Sequence, residues 1–285
     1  MVEVIIPVSR EHVKQLQLSI NFIFNNLFVE KIKIISKKEL FSYFPVNMKI
    51  DFIDEDTSFS FNYHTIENIL RQRGGDIKRS GWYFQQFLKM EYCFISKKDY
   101  YLIWDADTIP LSKINFFTED GKKMLFNKKE EHHIPYFKTM DVLFNKKMEY
   151  QTKSFISEGM IIECKIMKEM IMDINNNRKL KGKNWIEKIM YAISFDDLNY
   201  SGFSEFETYG NYLINKYPYK YQERTLKTLR NGMSRYGRLL TPKELMMLDI
   251  DTISFENWDK PQNFFKKLES YMYILQLYLR KVINQ

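Results

Sequence analysis

Apolar, β-branched runs alternate with segments of helical periodicity near the start of the chain, and this alternation constrains the fold more than any other feature. Residues 2–8 (VEVIIPV) are continuously apolar except for one glutamate, and residues 11–28 carry apolar side chains at three- and four-residue spacing. Two more short runs, 31–36 and 48–53, have the composition of strands. Strands that alternate with helices predict an α/β protein whose mostly parallel sheet is flanked by helices.

Composition excludes several classes of protein. The 285 residues are 45% hydrophobic with a net charge of +7, which provides a sizeable core and too little charge imbalance for a disordered chain. No run approaches the ~18–20 apolar residues of a membrane-spanning helix. Cys93 and Cys164 lie far apart in apolar segments, which argues against a disulfide framework or a cysteine zinc site. We therefore expect a cytoplasmic protein.

Two aspartates follow the most apolar segment of the chain. Residues 100–104 (YYLIW) have the composition of a buried central strand and lead directly into Asp105, Ala106 and Asp107. Open α/β sheets bind their ligands at the carboxyl ends of their strands. Two carboxylates separated by one small residue can reach the same cation, and hard oxygen ligands suit Mg²⁺ or Mn²⁺. A turn-capping role is the alternative, but the position after a buried strand favours a metal site.

Four segments occur in a characteristic order: PVS (7–9), GWYFQQFLKM (81–90), WDADTIPL (104–111) and SEFETYGNYL (204–213). With them the sequence resembles bacterial nucleotide-sugar glycosyltransferases of the GT-A fold, in a DUF-type family with a D-x-D motif linked to surface polysaccharide synthesis. The resemblance spans residues 2–260. It implies a Rossmann-like nucleotide-binding half and a metal-dependent enzyme that transfers sugar from a nucleotide-sugar donor, foremost a UDP-sugar.

The resemblance also implies a divalent cation, Mn²⁺ or Mg²⁺, at Asp105 and Asp107. The acceptor would be a glycan or a lipid-linked saccharide in capsule or lipopolysaccharide synthesis. The sequence departs from the resembled pattern at one point. A metal ligand from the late chain is common in that fold, but no histidine follows His133.

Charge and periodicity suggest how the chain is divided. We predict a GT-A catalytic domain at residues 1–218, with a nucleotide-binding half at 1–110 and an acceptor half at 111–218. Residues 219–285 are predicted to be a basic segment followed by C-terminal helices. Residues 211–285 contain 13 of the 43 basic residues and 7 of the 36 acidic ones, so most of the net positive charge is local to this end.

The predicted donor-binding residues come from the end of the first strand, the segment before the acidic motif, the motif itself and the basic C-terminal segment. They are Pro7, Val8, Ser9, Arg79, Gln86, Lys89, Asp105, Ala106, Asp107, Arg235 and Arg238. The basic side chains would meet the diphosphate and stabilise the leaving group. The alternatives are a solvated lysine at Lys89, a solvated charged loop at Arg79, and a basic patch facing anionic lipid at Arg235 and Arg238.

Three glutamates are candidates for a general base that takes the proton of the acceptor hydroxyl. Glu205 begins a predicted helix and is the preferred candidate in an inverting reaction. Glu158 interrupts an apolar run and is the alternative. Glu207 also fits a capping box with Ser204, which is a structural role. In a retaining reaction no dedicated base is needed, and Glu205 would bind sugar instead.

A final helix is predicted from Pro261 onward, and its apolar stripe consists of Phe264, Leu268, Met272, Leu275, Leu279 and Val282. Three partners for this helix remain open: the catalytic domain, a second subunit in a homodimer, or a membrane surface. The last would place the protein peripherally at the inner face of the cell membrane.

Two other classes of function compete with glycosyl transfer. A nucleotidyltransferase would need a glycine-rich phosphate loop after the first strand, and the segment PVSREH contains no glycine. A nonenzymatic nucleic-acid-binding or membrane-binding module is suggested by the basic C-terminal segment and the many aromatic residues. We expect the glycosyltransferase, with no nucleic-acid partner.

Overall fold

The computed structural model of the chain describes residues 1–145, 154–256, 259–261 and 263–283. In these ranges the strands are β1 (Val2–Pro7), β2 (Val29–Ser36), β3 (Ile50–Asp54), β4 (Tyr100–Trp104), β5 (Thr108–Pro110), β6 (Met124–Asn127), β7 (Gly159–Glu163), β8 (Tyr221–Arg224), β9 (Thr228–Leu229) and β10 (Thr252–Ser254). Short 3₁₀ helices cover Arg10–His12, Lys38–Tyr43, Ile77–Arg79 and Pro218–Lys220.

The α-helices are distributed between these strands. They are α1 (Val13–Asn26), α2 (Tyr63–Gln72), α3 (Ser80–Ile95), α4 (Ile134–Phe144), α5 (Cys164–Asn176), α6 (Trp185–Ala192), α7 (Phe195–Leu198), α8 (Glu205–Lys216), α9 (Gly232–Tyr236), α10 (Pro242–Leu245) and α11 (Phe264–Ile283). Within the described ranges, no helix is long and apolar enough to cross a bilayer.

A five-stranded sheet in the order β3-β2-β1-β4-β7 forms the centre of the fold. β1 pairs in parallel with β2 and β4, β2 pairs in parallel with β3, and β7 pairs antiparallel with β4. Ile5 and Leu102 are fully buried, since continuous apolar runs suit central strands that are covered on both faces. The predicted α/β fold with a mostly parallel, helix-flanked sheet is confirmed.

Two small sheets join the late part of the chain to the early part. β10 pairs antiparallel with β5, with Ser254 opposite Thr108, and also pairs with β9. β8 pairs in parallel with β6. β5 and β6 precede the predicted boundary between residues 218 and 219, whereas β8, β9 and β10 follow it. Both small sheets therefore contain strands from each side of this boundary. The pairing with β5 brings the residues after β10 beside the aspartates that follow β4.

The apolar run that Glu158 interrupts is a strand only from Gly159 onward. Upstream of it, side chains replace the hydrogen bonds of a ladder: the Phe155 N–H donates to the Glu207 carboxylate (3.2 Å) and the Ile156 N–H donates to Ser154 Oγ (3.0 Å). Backbone donors that are satisfied in this way do not need a neighbouring strand.

Gly159 allows β7 to pass close to the large side chain of β4. It lies opposite Trp104 in the ladder, and a Cβ at position 159 would overlap the buried indole ring. We expect Gly159→Ala to lower the free energy of unfolding by about 1–3 kcal/mol through overpacking. Gly81→Ala is the matched control, because a Cβ there meets only the Tyr63 ring at 3.9 Å and should gain about 0.5–1 kcal/mol. Equal effects in urea denaturation would contradict this prediction.

The last helix, α11, begins at Phe264 rather than at Pro261. Ser270 and Leu277 are buried on the side that packs against the rest of the protein, and Tyr273 and Ile274 are partly buried beside them. The predicted stripe lies on the opposite side: Leu268, Met272, Leu275 and Leu279 are between 50% and 59% exposed. The helix therefore packs on the rest of the protein, but through a face other than the predicted stripe.

Candidate functional site

A crevice of about 400 Å³ opens where β1 and β4 end. In the sheet, β1 lies between β2 and β4. The connections from β1 to β2 and β3 lead toward one edge of the sheet, and β4 lies toward the other edge. The crevice is therefore at the point where the strand order reverses. That is the place where open α/β sheets bind ligands. The predicted site residues that line it are Pro7, Gln86, Lys89, Asp105, Ala106, Asp107 and Glu205.

The remaining residues predicted at the first strand and before α3 lie beside the crevice rather than on its wall. Val8 is buried, and its N–H donates to the Ile35 carbonyl (2.9 Å). Ser9 is exposed, with its Oγ 3.0 Å from Nδ1 of His12. The Arg79 guanidinium lies over the Trp82 ring at 4.5 Å, and Trp82 is part of the wall. Arg79 thus supports a wall residue.

Backbone hydrogen bonds fix the turn that carries the two aspartates. The Asp105 N–H donates to the Glu158 carbonyl (3.0 Å), and the Phe255 N–H donates to the Asp107 carbonyl (2.9 Å). Burial and the neighbouring charge of Asp105 raise the pKa of the Asp107 carboxyl. A cation between the two carboxylates would relieve this unfavourable charge.

Lys89 belongs to the wall of the crevice but is almost fully buried, and its ammonium pairs with two carboxylates. Its ammonium donates to Asp105 Oδ1 (2.7 Å) and to Glu205 Oε1 (2.9 Å), and the residue is 4% exposed. Burial alone would lower the pKa of Lys89, but the two carboxylates outweigh it and raise that pKa. Lys89 therefore connects the aspartate turn to the start of α8 as a charged group.

Gln86 also ties α3 to the start of α8. Its Oε1 accepts a hydrogen bond from the Glu205 N–H (3.1 Å), and its Nε2 donates to the Trp82 carbonyl (3.3 Å). Because both amide atoms are engaged within the protein, Gln86 positions the backbone of Glu205 at the edge of the crevice.

The two other candidate bases, Glu158 and Glu207, do not line the crevice. Glu158 forms an ion pair with Lys129. Glu207 is fully buried and accepts hydrogen bonds from Phe155 N–H (3.2 Å) and Asn211 Nδ2 (2.8 Å), and burial raises the pKa of its carboxyl. Only half of the predicted capping box forms: Ser204 Oγ accepts from the Glu207 N–H (3.2 Å), but the carboxylate turns to Phe155 and Asn211.

Arg235 and Arg238 do not line the crevice, which corrects their predicted place at the diphosphate. The Arg235 guanidinium lies over the Tyr273 ring of α11 at 4.4 Å. Arg238 donates twice to the Glu244 carboxylate, at 2.7 and 3.0 Å. Arg238 therefore pairs with a carboxylate six positions along the chain, and Arg235 stacks on an aromatic ring.

The pair of Arg238 and Glu244 predicts a pH-dependent contribution to stability. The guanidinium, together with donors from Thr241 and Tyr278, lowers the pKa of Glu244 from 4.5 to about 2. Since the folded-state pKa is depressed, the stabilisation is present above pH 4.5 and is lost as the pH falls toward about 2. We expect Glu244→Gln to cost about 1–2 kcal/mol at neutral pH, because Arg238 is half-exposed.

The measurement is urea denaturation of wild type and variant at neutral pH and near pH 3. The difference between the two proteins should shrink by roughly half at the lower pH. Glu119→Gln, an exposed carboxylate near β6, is the control and should change little at either pH. A difference that is independent of pH would contradict the prediction.

The crevice contains five charged or titratable residues that the sequence did not single out as site residues: Glu11, His12, Tyr136, Arg230 and Glu256. The Arg230 guanidinium lies 2.8 Å from Glu131, 3.4 Å from Glu256 and 3.8 Å from Glu158. Burial raises the pKa of Glu256 to about 7; Arg230 opposes this rise, and the charges of the two aspartates add to it. The basic segment was a signal for Arg230, whereas no sequence pattern pointed to Glu256.

The aspartate turn supplies two carboxylates, which are only part of the coordination that a hard cation needs. Nowhere in the described portion of the chain do three histidine, cysteine, aspartate or glutamate side chains form a group that could hold a metal ion. However, Mg²⁺ is usually bound by one or two protein carboxylates together with substrate phosphates and water. Asp105 and Asp107 fit that mode of binding, in which a diphosphate completes the coordination.

Comparisons with known proteins give one family match and several structural matches. The model of DUF6492, described as a family of unknown function, matches residues 3–283. No curated protein matches the sequence significantly.

Three solved structures of glycosyltransferases are similar to this chain. The galactosyltransferase LgtC, in complex with donor and acceptor sugar analogs, has 10% identity and a TM-score of 0.47, over 97% of this chain and 95% of that chain. Mouse xyloside xylosyltransferase 1 has 11% identity and a TM-score of 0.45, over 92% and 99% of the two chains. The bifunctional glycosyltransferase WbbM has 12% identity and a TM-score of 0.45, over 98% of this chain and 51% of that chain.

Proposed function

The chain belongs to DUF6492, a family of unknown function, and from its crevice we propose that it is a metal-dependent glycosyltransferase. It would move a sugar from a nucleotide-sugar donor to a saccharide acceptor. The observation that carries the proposal is the position of Asp105 and Asp107, side by side in a crevice at the point where the strand order reverses.

On the donor side, Asp105 and Asp107 would hold Mn²⁺ or Mg²⁺ together with the diphosphate. When bound, such a cation neutralises negative charge on the departing nucleoside diphosphate. Arg230 takes the role that the sequence had suggested for Arg235 and Arg238, because its guanidinium lines the same crevice. A diphosphate there would replace carboxylates as the partner of Arg230, and bidentate hydrogen bonds would orient it.

On the acceptor side, Glu205 is the general base of an inverting reaction. It is supported over Glu158 and Glu207 because it alone of the three lines the crevice. The acceptor oxygen attacks the anomeric carbon, the bond from that carbon to the diphosphate oxygen breaks, and the hydroxyl proton passes to Glu205. Lys89 and Gln86 hold Glu205 in place. NMR of the product's anomeric proton tests this step, and retained configuration would remove the base role.

The finer identity of the substrates is a further part of the proposal. We propose a UDP-sugar donor and a glycan or lipid-linked saccharide acceptor in capsule or lipopolysaccharide synthesis. The sequence resemblance described above supports these substrates.

The proposal is tested by thermal unfolding with Mn²⁺ and a panel of nucleotide sugars. A ligand that binds only the folded state raises the unfolding temperature, so one nucleotide sugar should do so with Mn²⁺ and lose most of the effect in EDTA. Slow hydrolysis of the same compound should accompany the shift. If no nucleotide sugar stabilises the protein in any metal, or if stabilisation is unchanged in EDTA, the proposal fails.

A further inference from the structure

The outer face of α11 is a long apolar surface without a partner in the described part of the chain. Leu268, Tyr271, Met272, Leu275 and Leu279 are between 50% and 70% exposed. They recur at three- and four-residue spacing, so they form one face of a helix whose 20 residues extend for about 30 Å. Contiguous apolar patches of this kind are rare on monomeric proteins and mark interaction sites.

Grooves with basic residues border this face on both sides. One groove, of about 830 Å³, runs along the side of Tyr273 and Gln276 and includes Arg235 and Lys243. The other, of about 460 Å³, runs along the opposite side. Its basic members are Arg238, Lys260 and Lys267.

Most of these cations are available for an external anion. Lys243, Lys260 and Lys267 are exposed, and none of them forms an ion pair with another residue in the ranges that the structure describes. Arg238 is the exception because it pairs with Glu244. On the side of Lys260 and Lys267 the groove has no acidic wall residue, so positive charge there is uncompensated. On the other side Asp249 lies beside Arg235 and Lys243 and offsets part of their charge.

We propose that α11 lies on an anionic phospholipid bilayer, with its outer apolar face at the boundary of the acyl chains. The flanking lysines would extend their ammonium groups to lipid phosphates, as such side chains do at interfaces. A second copy of this chain is a poorer occupant, because its own basic edges would face those of the first copy. This proposal goes beyond sugar transfer and does not depend on it.

Sedimentation with vesicles tests the proposal without donor, acceptor or metal. The wild-type protein should bind vesicles of equal parts phosphatidylcholine and phosphatidylglycerol at least about tenfold more tightly than phosphatidylcholine alone, because each lysine near an anionic surface adds attraction. High salt should weaken the binding. Absence of binding, or equal binding to both vesicles, would overturn the proposal.

Two double variants with the same change of charge separate the helix face from general electrostatics. Leu275→Asp with Leu279→Asp should abolish vesicle binding. Val46→Asp with Met48→Asp, in an exposed loop before β3 where these side chains are at least 95% exposed, should retain it. Because all four side chains are exposed, we expect the melting temperatures to stay close to that of the wild type.

Two further measurements complete the test. Lys260→Gln with Lys267→Gln should reduce the preference for anionic vesicles while leaving the apolar face intact. Light scattering of the wild type should show a monomer in the absence of vesicles. A dimer that the Leu275→Asp and Leu279→Asp variant dissociates would assign the face to a second copy and refute the membrane proposal.

Discussion

Asp107→Asn is expected to lower kcat/KM for sugar transfer by about a thousandfold, a loss of about 4 kcal/mol of transition-state stabilisation. The amide keeps the size of the side chain but removes one of the two negative charges that would hold the cation. Binding of Mn²⁺, measured by calorimetry with the nucleotide sugar present, should weaken in parallel. Asp196→Asn, an exposed aspartate in α7, is the control and should leave both quantities unchanged.

The same variant should fold normally. The bond from the Phe255 N–H to residue 107 uses the backbone carbonyl, so the substitution leaves the junction with β10 intact. Removal of a charge beside Asp105 also relieves repulsion, and we expect the unfolding temperature to be equal or higher. Full turnover of Asp107→Asn in EDTA would exclude the proposed role of the aspartates.

Lys89→Met should produce the largest loss of stability, about 3–5 kcal/mol, because it leaves two carboxylates without their shared buried cation. Glu205 is 4% exposed, so its carboxylate would regain little hydration after the loss of Lys89. Urea denaturation at neutral pH provides the measurement. A loss below about 1 kcal/mol would mean that water reaches these groups and that Lys89 is dispensable for folding.

A second substitution distinguishes the loss of a charge pair from the loss of packing. Lys89→Met combined with Glu205→Gln should recover part of the stability, because the remaining partner, Asp105, has a side chain that is 32% exposed and can be hydrated. Strictly additive losses in the double variant would instead indicate that the two residues act independently.

The features that the sequence predicted well are those set by local pattern. The apolar run at residues 100–104 and the aspartates after it needed no knowledge of distant contacts. The same holds for the start of α8 at Glu205. The DUF-type family expected from the four segments is likewise confirmed by the match over residues 3–283.

Contacts between distant residues could not be predicted in the same way. Lys89 and Glu205 are 116 positions apart, and no pattern near either residue indicates the other. Glu256 reaches the crevice only because β10 pairs with β5. Periodicity also showed that α11 has an apolar stripe, but it could not show that Ser270 and Leu277 on the other side would face the protein.

The pairing of β10 with β5 has a consequence for biosynthesis. The ribosome makes the five-stranded sheet well before residues 252–254, so a nascent chain can acquire most of its core early. Arg230 and Glu256 can take their places at the crevice only after β10 has been made and has paired with β5 and β9. A chain that ended before β10 would therefore lack the wall residue Glu256 and would leave Ile109 of β5 without the late side chains that pack on it.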